Sequence, residues 1–356
     1  MRDGGPAQNR KVQDGPADRG GAWAWAIGLG ALGAALIVLP HLLSFSQQEI
    51  AVFLVINVLL VVSYRLLTLT GEWSLGHVVI MGVGGYASAI YTKALGVPVP
   101  LAMLAGAATA AATALVLAFP LFRMKGFYFL IGSFAAGEVI RLLWKRFRVP
   151  FGGPKGLKLI PSFPDLELGA LTIDFFEPVN YYYLCLLVVS ISVFILYRLE
   201  RSRIGLTFHA VHWQDSLAES VGVSTWRYRT LAFVVASFFA GLAGALLAHY
   251  IGTVNPNRFD VGEMVFVLVW AIVGGTATIY GPILGVVVLT VINEVVLRQL
   301  GFDQMRPLFY GAILIASILF LPQGLESLVG KARGAWAGRG SRAIRAPLKM
   351  KVDKSD

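Results

Sequence analysis

Apolar positions along this chain come in long, nearly unbroken runs, with neither the one-sided stripe of a soluble helix nor the alternation of a half-buried strand. The runs are Trp23–Leu43, Ile50–Leu67, Leu75–Tyr91, Leu101–Phe122, Gly126–Trp144, Asn180–Tyr197, Leu231–Ile251, Met264–Val273, Pro282–Leu297 and Met305–Leu321. About 20 mostly apolar residues suffice to cross a bilayer as a helix, because a helix satisfies its own backbone groups. The pattern therefore predicts an all-α, polytopic membrane protein of about ten transmembrane helices (8–10), two of the ten candidates being short. A membrane barrel is excluded, since no segment alternates with period two. Residues 1–22 are polar and lack the apolar core of a signal peptide, so they read as a disordered tail. Residues 23–322 form the transmembrane unit and residues 323–356 a basic tail.

Composition agrees. Of 356 residues, 56% are hydrophobic and 14% charged, against about 25% charged in a soluble domain. The 39 glycines follow no Gly-X-Y period, and the one cysteine, Cys185, excludes an intrachain disulfide framework and a multi-cysteine metal site. The net charge of +10 is a matter of topology. With both termini cytoplasmic and all ten runs crossing, 20 of the 30 Lys and Arg lie inside, as the positive-inside rule asks. The exception is the loop from Lys145 to Glu177, which carries basic residues on the outside. No nucleic-acid partner is needed to explain the charge; the tail can touch anionic membrane lipid.

Three patterns resemble chemistry without supporting it. Gly28-Leu29-Gly30-Ala31-Leu32-Gly33 fits a dinucleotide fingerprint but lies inside an apolar run instead of a strand–helix turn. The stretch from Gly324 to Lys331 has five residues between its glycines, and Ala332 stands where a phosphate loop needs Ser or Thr. His209 and His212 lack a carboxylate or cysteine to complete a metal site. No metal, no cofactor and no catalytic group are expected.

Residues 198–229 are different. Leu206, Ala210, Trp213, Leu217 and Val221 recur every three or four positions, which predicts one apolar stripe on a short helix, with Gln214, Asp215 and Glu219 on other faces. Gly222 stands as its C-terminal stop, and Ser224 or Thr225 can cap the helix that follows. Such a helix could lie on lipid or dock in a partner's groove.

The same stretch carries a family resemblance. Arg201, Ser202, Gly205, Ala218, Gly222, Tyr228, Arg229, Ala232, Phe233, Ser237, Ala240, Gly241 and Gly244 match the pattern of permease subunits of bacterial ABC importers for branched-chain amino acids. Further matches are Ser74-Leu75-Gly76-His77 with Gly82 and Tyr86, Gly126-Phe127-Tyr128, Gly137-Glu138 with Arg141, Gly152-Gly153-Pro154-Lys155-Gly156, and Gly281-Pro282 with Gly285. Together they cover residues 65–322 in order. Two positions depart from the family: Lys155 replaces the commoner Asn, and Glu72-Trp73 interrupts a turn of small residues. The resemblance implies a passive gate in the bacterial inner membrane, driven by two separate ATP-binding subunits. It further implies a second, different permease subunit and a periplasmic substrate-binding protein, for which the 145–177 loop is the main outer surface. The 198–229 loop would be the coupling helix, with Arg203, Gly205, Trp213, Asp215, Leu217, Ala218, Glu219 and Gly222 as its contact set.

Two glycine-interrupted segments, 71–76 and 274–281, lie about 205 residues apart at near-equivalent places in the two halves. Paired broken helices point to a transport pathway, and close packing explains the same glycines equally well. Ser74, Gly76, His77, Gly274, Gly275 and Gly281 are the candidates there. Small-xxx-small pairs such as Ala240/Gly244 and Gly241/Ala245 read as packing. Glu138 falls about 12 residues, or ~18 Å, into its span, where a lone charge costs about 3 kcal/mol or more. Arg141, at i+3, is its expected partner, with a pathway role as the alternative; Glu294 and Arg298, at i+4, read the same way. Other classes are a urea or short-amide ABC permease, an ion-coupled secondary transporter with few intramembrane acids to serve it, and a membrane-embedded enzyme lacking a convergent His/Asp/Glu set.

Overall fold

The structure, a computed structural model, describes residues 33–168, 171–297, 305–321 and 324–327. Twelve helices follow in order among them: α1 (Gly33–Leu42), then α2 (Phe45–Thr68), α3 (His77–Leu95), α4 (Val99–Leu121), α5 (Phe127–Arg146), α6 (Pro178–Glu200), α7 (Arg203–Trp213), α8 (Asp215–Ser220), α9 (Thr225–Ile251), α10 (Val261–Gly274), α11 (Tyr280–Val291) and α12 (Arg306–Phe320). Each predicted run coincides with one helix other than α7 and α8. Six helices are long and apolar enough to cross a membrane; the described parts of α1, α10, α11 and α12 are shorter apolar helices. The first part of the run from Trp23, the tail at 1–22, the tail from 328 onward and Arg298 fall outside the described residues.

Helices α2, α3, α4 and α9 form the core. Small residues let their backbones touch. A β-carbon on Gly84 would collide with the Gly241 backbone, one on Gly244 with the Met81 carbonyl, and one on Gly106 would stand 2.6 Å from the Gly84 carbonyl. With lipid as the solvent, this close approach replaces the hydrophobic drive of a soluble core. Helix α9 starts at Thr225, six residues before the predicted run, since Trp226–Thr230 extend the helix beyond its apolar stretch.

The ends of the bundle differ. At one end the long α5–α6 connection is threaded through glycines with positive φ, Gly152 (80°), Gly153 (63°) and Gly156 (70°), a left-handed region natural to glycine. This explains the Gly-Gly-Pro-Lys-Gly run in backbone terms. Two small antiparallel pairings, β1 (Leu157–Lys158) with β4 (Thr253–Val254) and β2 (Leu166–Leu168) with β3 (Leu171–Ile173), are an addition to the all-α expectation. His249 Nδ1 lies 2.7 Å from the Pro161 carbonyl and Lys93 Nζ donates to that of Lys158, tying the loop down. The other end gathers the 69–76 turn, α7, α8, the 275–279 turn and residues 324–327.

Candidate functional site

The second end holds most of the residues singled out from sequence. Ser202 begins α7 by accepting the Ile204 N–H at 3.2 Å, an ordinary N-cap. Gly205 is buried, and a β-carbon there would collide with the Glu200 backbone, so α7 folds tightly back on α6. Gln214 then takes an extended conformation (φ −160°, ψ 95°). The predicted single helix is therefore two, α7 and α8, and the stripe turns a corner between them. Helix α8 closes as expected: Val223 N–H donates to Ala218 O and Gly222 N–H to Glu219 O, both at 3.0 Å, with Gly222 at φ +88°. These are the two bonds of a Schellman motif. Ser224 and Thr225 make no side-chain cap: the Thr225 hydroxyl donates instead to Glu219 Oε1 at 2.6 Å.

The two faces of α7–α8 are sharply unlike. Phe208, Val211 and Ala218 are buried, with Phe208 edge-on to Tyr228. Leu206, Ala210, Leu217, Val221 and Trp213, the last 83% exposed, all point away from the bundle. Arg203 is exposed with them; Gly205 and Ala218 face inward. His212 leans over Gly71, where a β-carbon would stand 3.1 Å from its Nδ1.

Two ion-pair chains lead to the two glycine breaks, the first from α8 and the second from Glu200 at the end of α6, on which Gly205 of α7 is packed. In the first, Asp215 Oδ2 accepts from Arg229 Nη2 at 2.7 Å, Lys125 approaches the same oxygen at 3.6 Å, and Arg229 Nε lies 3.3 Å from Glu72 Oε1 in the first break. Glu72 is 1% exposed. Burial pushes its carboxyl up to about 7, Arg229 pulls down against that, Asp215 adds to the rise and Lys125 opposes it. Because the folded value lies above the ordinary one near 4.5, folding favours the protonated form. Stability from this group is complete below about pH 4.5 and declines as pH rises through about 7, by on the order of 3 kcal/mol. In a thermal-unfolding series over that window, wild type should lose stability relative to Glu72→Gln as pH increases. A pH-independent difference would show that Glu72 titrates normally.

In the second chain, Arg65 of α2, 2% exposed, reaches Glu200 at the end of α6 with both nitrogens (2.6 and 2.7 Å). It also donates from Nε to Thr276 O at 2.9 Å and from Nη2 to Ala277 O at 3.1 Å. From the far side Glu326 accepts Ala277 N–H (3.0 Å), Thr278 N–H (2.8 Å) and the Thr278 hydroxyl (2.6 Å). The 275–279 turn is thus held between a guanidinium on its carbonyls and a carboxylate on its amides. Residues 324–327, read as the start of the tail, are packed here, with a β-carbon on Gly324 standing 2.5 Å from Gly275 N.

The break glycines are sites of backbone contact. A β-carbon on Gly76 would stand 2.6 Å from the Ser133 carbonyl, while Gly274 faces Gly281 O and Gly281 faces Gly275 O, both too close for a side chain. Ser74 Oγ accepts the Gly76 N–H at 3.1 Å, and Ser133 Oγ that of Leu75 at 2.9 Å. His77 is buried and shares a 3.0 Å hydrogen bond with Ser63. The expected pair Glu138–Arg141 is present, Arg141 donating from Nε at 2.8 Å and from Nη2 as well; it lies on α5 beside Gly137, which packs against Gly76 of the first break. Among the described residues no three His, Cys, Asp or Glu side chains are grouped to hold a metal.

Arg65, Glu200, Arg229 and Glu326 were not singled out as site residues from sequence. Their signal was weak: each is a charge beside the end of an apolar run, and their partners are far away in the chain, Glu200 being 135 positions from Arg65.

Apolar helices packed into a bundle, six of them long enough to cross a membrane, define a polytopic helical membrane protein. The chain belongs to the family described as "Branched-chain amino acid transport system / permease component", whose sequence profile matches residues 46–318. It is 29% identical over 306 residues to the high-affinity branched-chain amino acid transport system permease protein LivM of Salmonella typhimurium, covering 80% of this chain and 71% of that protein. To LivM of Escherichia coli (strain K12) it is 29% identical over 315 residues, covering 82% and 73%. Similarity to LivH of Salmonella typhimurium is 29% over 141 residues, 39% of this chain and 44% of that one. No solved structure matches. The family drawn from the motifs over residues 65–322 is thereby shown, and the protein is a multi-pass inner-membrane permease component of a transport system.

Proposed function

We propose that this chain is the gate of an ATP-driven importer that passes a branched-chain or similar amino acid from a periplasmic binding protein into the cytoplasm. ATP hydrolysis takes place on two separate ATP-binding subunits. The observation that carries this reading is the two-faced α7–α8 segment: an exposed apolar stripe outside, and inside Asp215, in the ion-pair chain to the 69–76 break, and Gly205, packed on Glu200, whose pair with Arg65 leads to the 274–281 break. A push on the stripe reaches both breaks through rigid, buried contacts, and packed interfaces respond to such a push by switching between discrete arrangements. Ser74, Gly76, His77, Gly274, Gly275 and Gly281 are then hinge positions of the pathway, and Glu138 belongs to the scaffold.

In this reading both termini and residues 198–229 are cytoplasmic, residues 1–22 and those beyond 327 are tails, and the 145–177 loop receives the binding protein. The relatives named LivM and LivH suggest pairing with a second, different permease subunit.

Ser216 is exposed on α8. With cysteine at Ser216 and Cys185 removed, an impermeant maleimide should label the protein only after the cells are opened, and the ATP-binding subunits should shield it. Labelling from outside intact cells would overturn the orientation. Undiminished labelling in the assembled complex would assign the stripe to lipid instead.

A further inference from the structure

We infer that the subunit contains its own chamber for a zwitterionic, apolar amino acid, a resting place on the way through; this rests on the permease reading and names where the substrate is held. The chamber is a cavity of about 310 Å³ between α2, α3, α10, α11 and α12, at the lower end of ligand-sized pockets. It runs along α10 from Glu263 to Trp270, a distance of about 10 Å at 1.5 Å per residue. Its two ends differ in chemistry. At one lie Arg258, Glu263 and Glu294; at the other Leu60, Val78, Met81 and Val267 form an apolar floor. A cation and two carboxylates at one mouth are complementary to a carboxylate and an ammonium on the same carbon, and the floor to an aliphatic side chain.

The polar mouth is held in place by its own contacts: Asn293 Nδ2 donates to Glu294 Oε1 at 3.2 Å, and the Arg258 guanidinium stands over the Phe53 ring. Access is also built in. Phe53 lines this chamber and a second cavity of about 420 Å³ formed with Ile160, Phe175 and Tyr250 beneath the 145–177 loop. The Phe53 ring, common to both cavities, is edge-on to Tyr250 at 5.6 Å and beneath the Arg258 guanidinium at 5.5 Å.

Thr290 lines the chamber, so Thr290→Cys in the assembled transporter in lipid nanodiscs provides a reporter, with the wild type as control for Cys185. L-leucine should slow its alkylation several-fold. L-leucinamide, which has no carboxylate, and 4-methylpentanoate, which has no ammonium, should not. Arg258→Gln removes the cation at the mouth; it should raise the leucine concentration for half-protection about tenfold or more, the worth of one hydrogen bond to a charged group. Alkylation indifferent to leucine, equal protection by all three compounds, or an unchanged half-protection in Arg258→Gln would each overturn the chamber. Leucine uptake by the same assembly, reconstituted with its binding protein into sealed proteoliposomes loaded with ATP, separates the two readings. Uptake without protection removes the chamber and leaves the permease; protection without uptake keeps the chamber and removes the permease reading.

Discussion

Arg65→Leu should abolish transport and lower the melting temperature of the purified protein markedly. Arg65 is almost fully buried and closes four hydrogen bonds at once, two to Glu200 and one each to the Thr276 and Ala277 carbonyls. Removing one partner of a buried ion pair leaves the other as an uncompensated charge, at a cost of about 3–5 kcal/mol. That is a large share of the 5–15 kcal/mol that typically separates folded from unfolded proteins. The effect divides in an informative way. In Arg65→Leu/Glu200→Leu no charge is stranded, so much of the thermal stability should return, as apolar replacement of buried pairs generally allows. Transport should stay lost, because the carbonyls of the 275–279 turn still lack their donor. Arg65→Lys should fall between, since an ammonium cannot reproduce the planar fork. Wild-type transport in Arg65→Leu, or equal recovery of stability and transport in the double variant, would remove Arg65 from the mechanism.

The second large effect concerns the stop at Gly222. A β-carbon there meets nothing within 4 Å, yet φ is +88°, so any penalty arises in the backbone and none from crowding. Left-handed geometry costs an ordinary residue roughly 1–2 kcal/mol, with asparagine tolerated best and β-branched residues worst. Transport should therefore decline in the order Gly222→Asn, Gly222→Ala, Gly222→Val, while membrane insertion stays normal throughout. Trp213→Ala removes the largest exposed apolar side chain of the segment. If the stripe docks on an ATP-binding subunit, loss of such an aromatic anchor at about 2 kcal/mol weakens association roughly 30-fold, measurable by co-purification at graded subunit concentration. Glu219→Lys, which breaks the bond from Thr225, should also misplace α8. Full assembly and transport in both Gly222→Val and Trp213→Ala would show that α7–α8 serves no partner.

The spans were legible because a bilayer demands a long apolar run, and such a run is local in sequence. The same holds for Glu138–Arg141, which one helical turn brings together, and for Gly222, whose role as a helix stop follows from its immediate neighbours. What escaped was non-local. No local rule makes Gln214 extended; it is neither glycine nor proline, and the corner follows from α7 and α8 burying Phe208, Val211 and Ala218 against the bundle together. Arg65 read as one more topology-setting positive charge, since its carboxylate lies on another helix. Glu72 stood out as a departure from the family, and the structure supplies a reason: it meets Arg229 beneath α8.

Arg65 and Glu326 grip the 275–279 turn chiefly through peptide groups, at the carbonyls of Thr276 and Ala277 and the amides of Ala277 and Thr278. Recognition of main chain does not depend on which side chains the turn carries. Across descendants of this chain, residues 276 and 277 are thus free to drift, provided the neighbouring glycines stay, while Arg65, Glu200 and Glu326 cannot. A search for correlated substitutions would find no signal between Arg65 and the turn it holds, although the two are in direct contact.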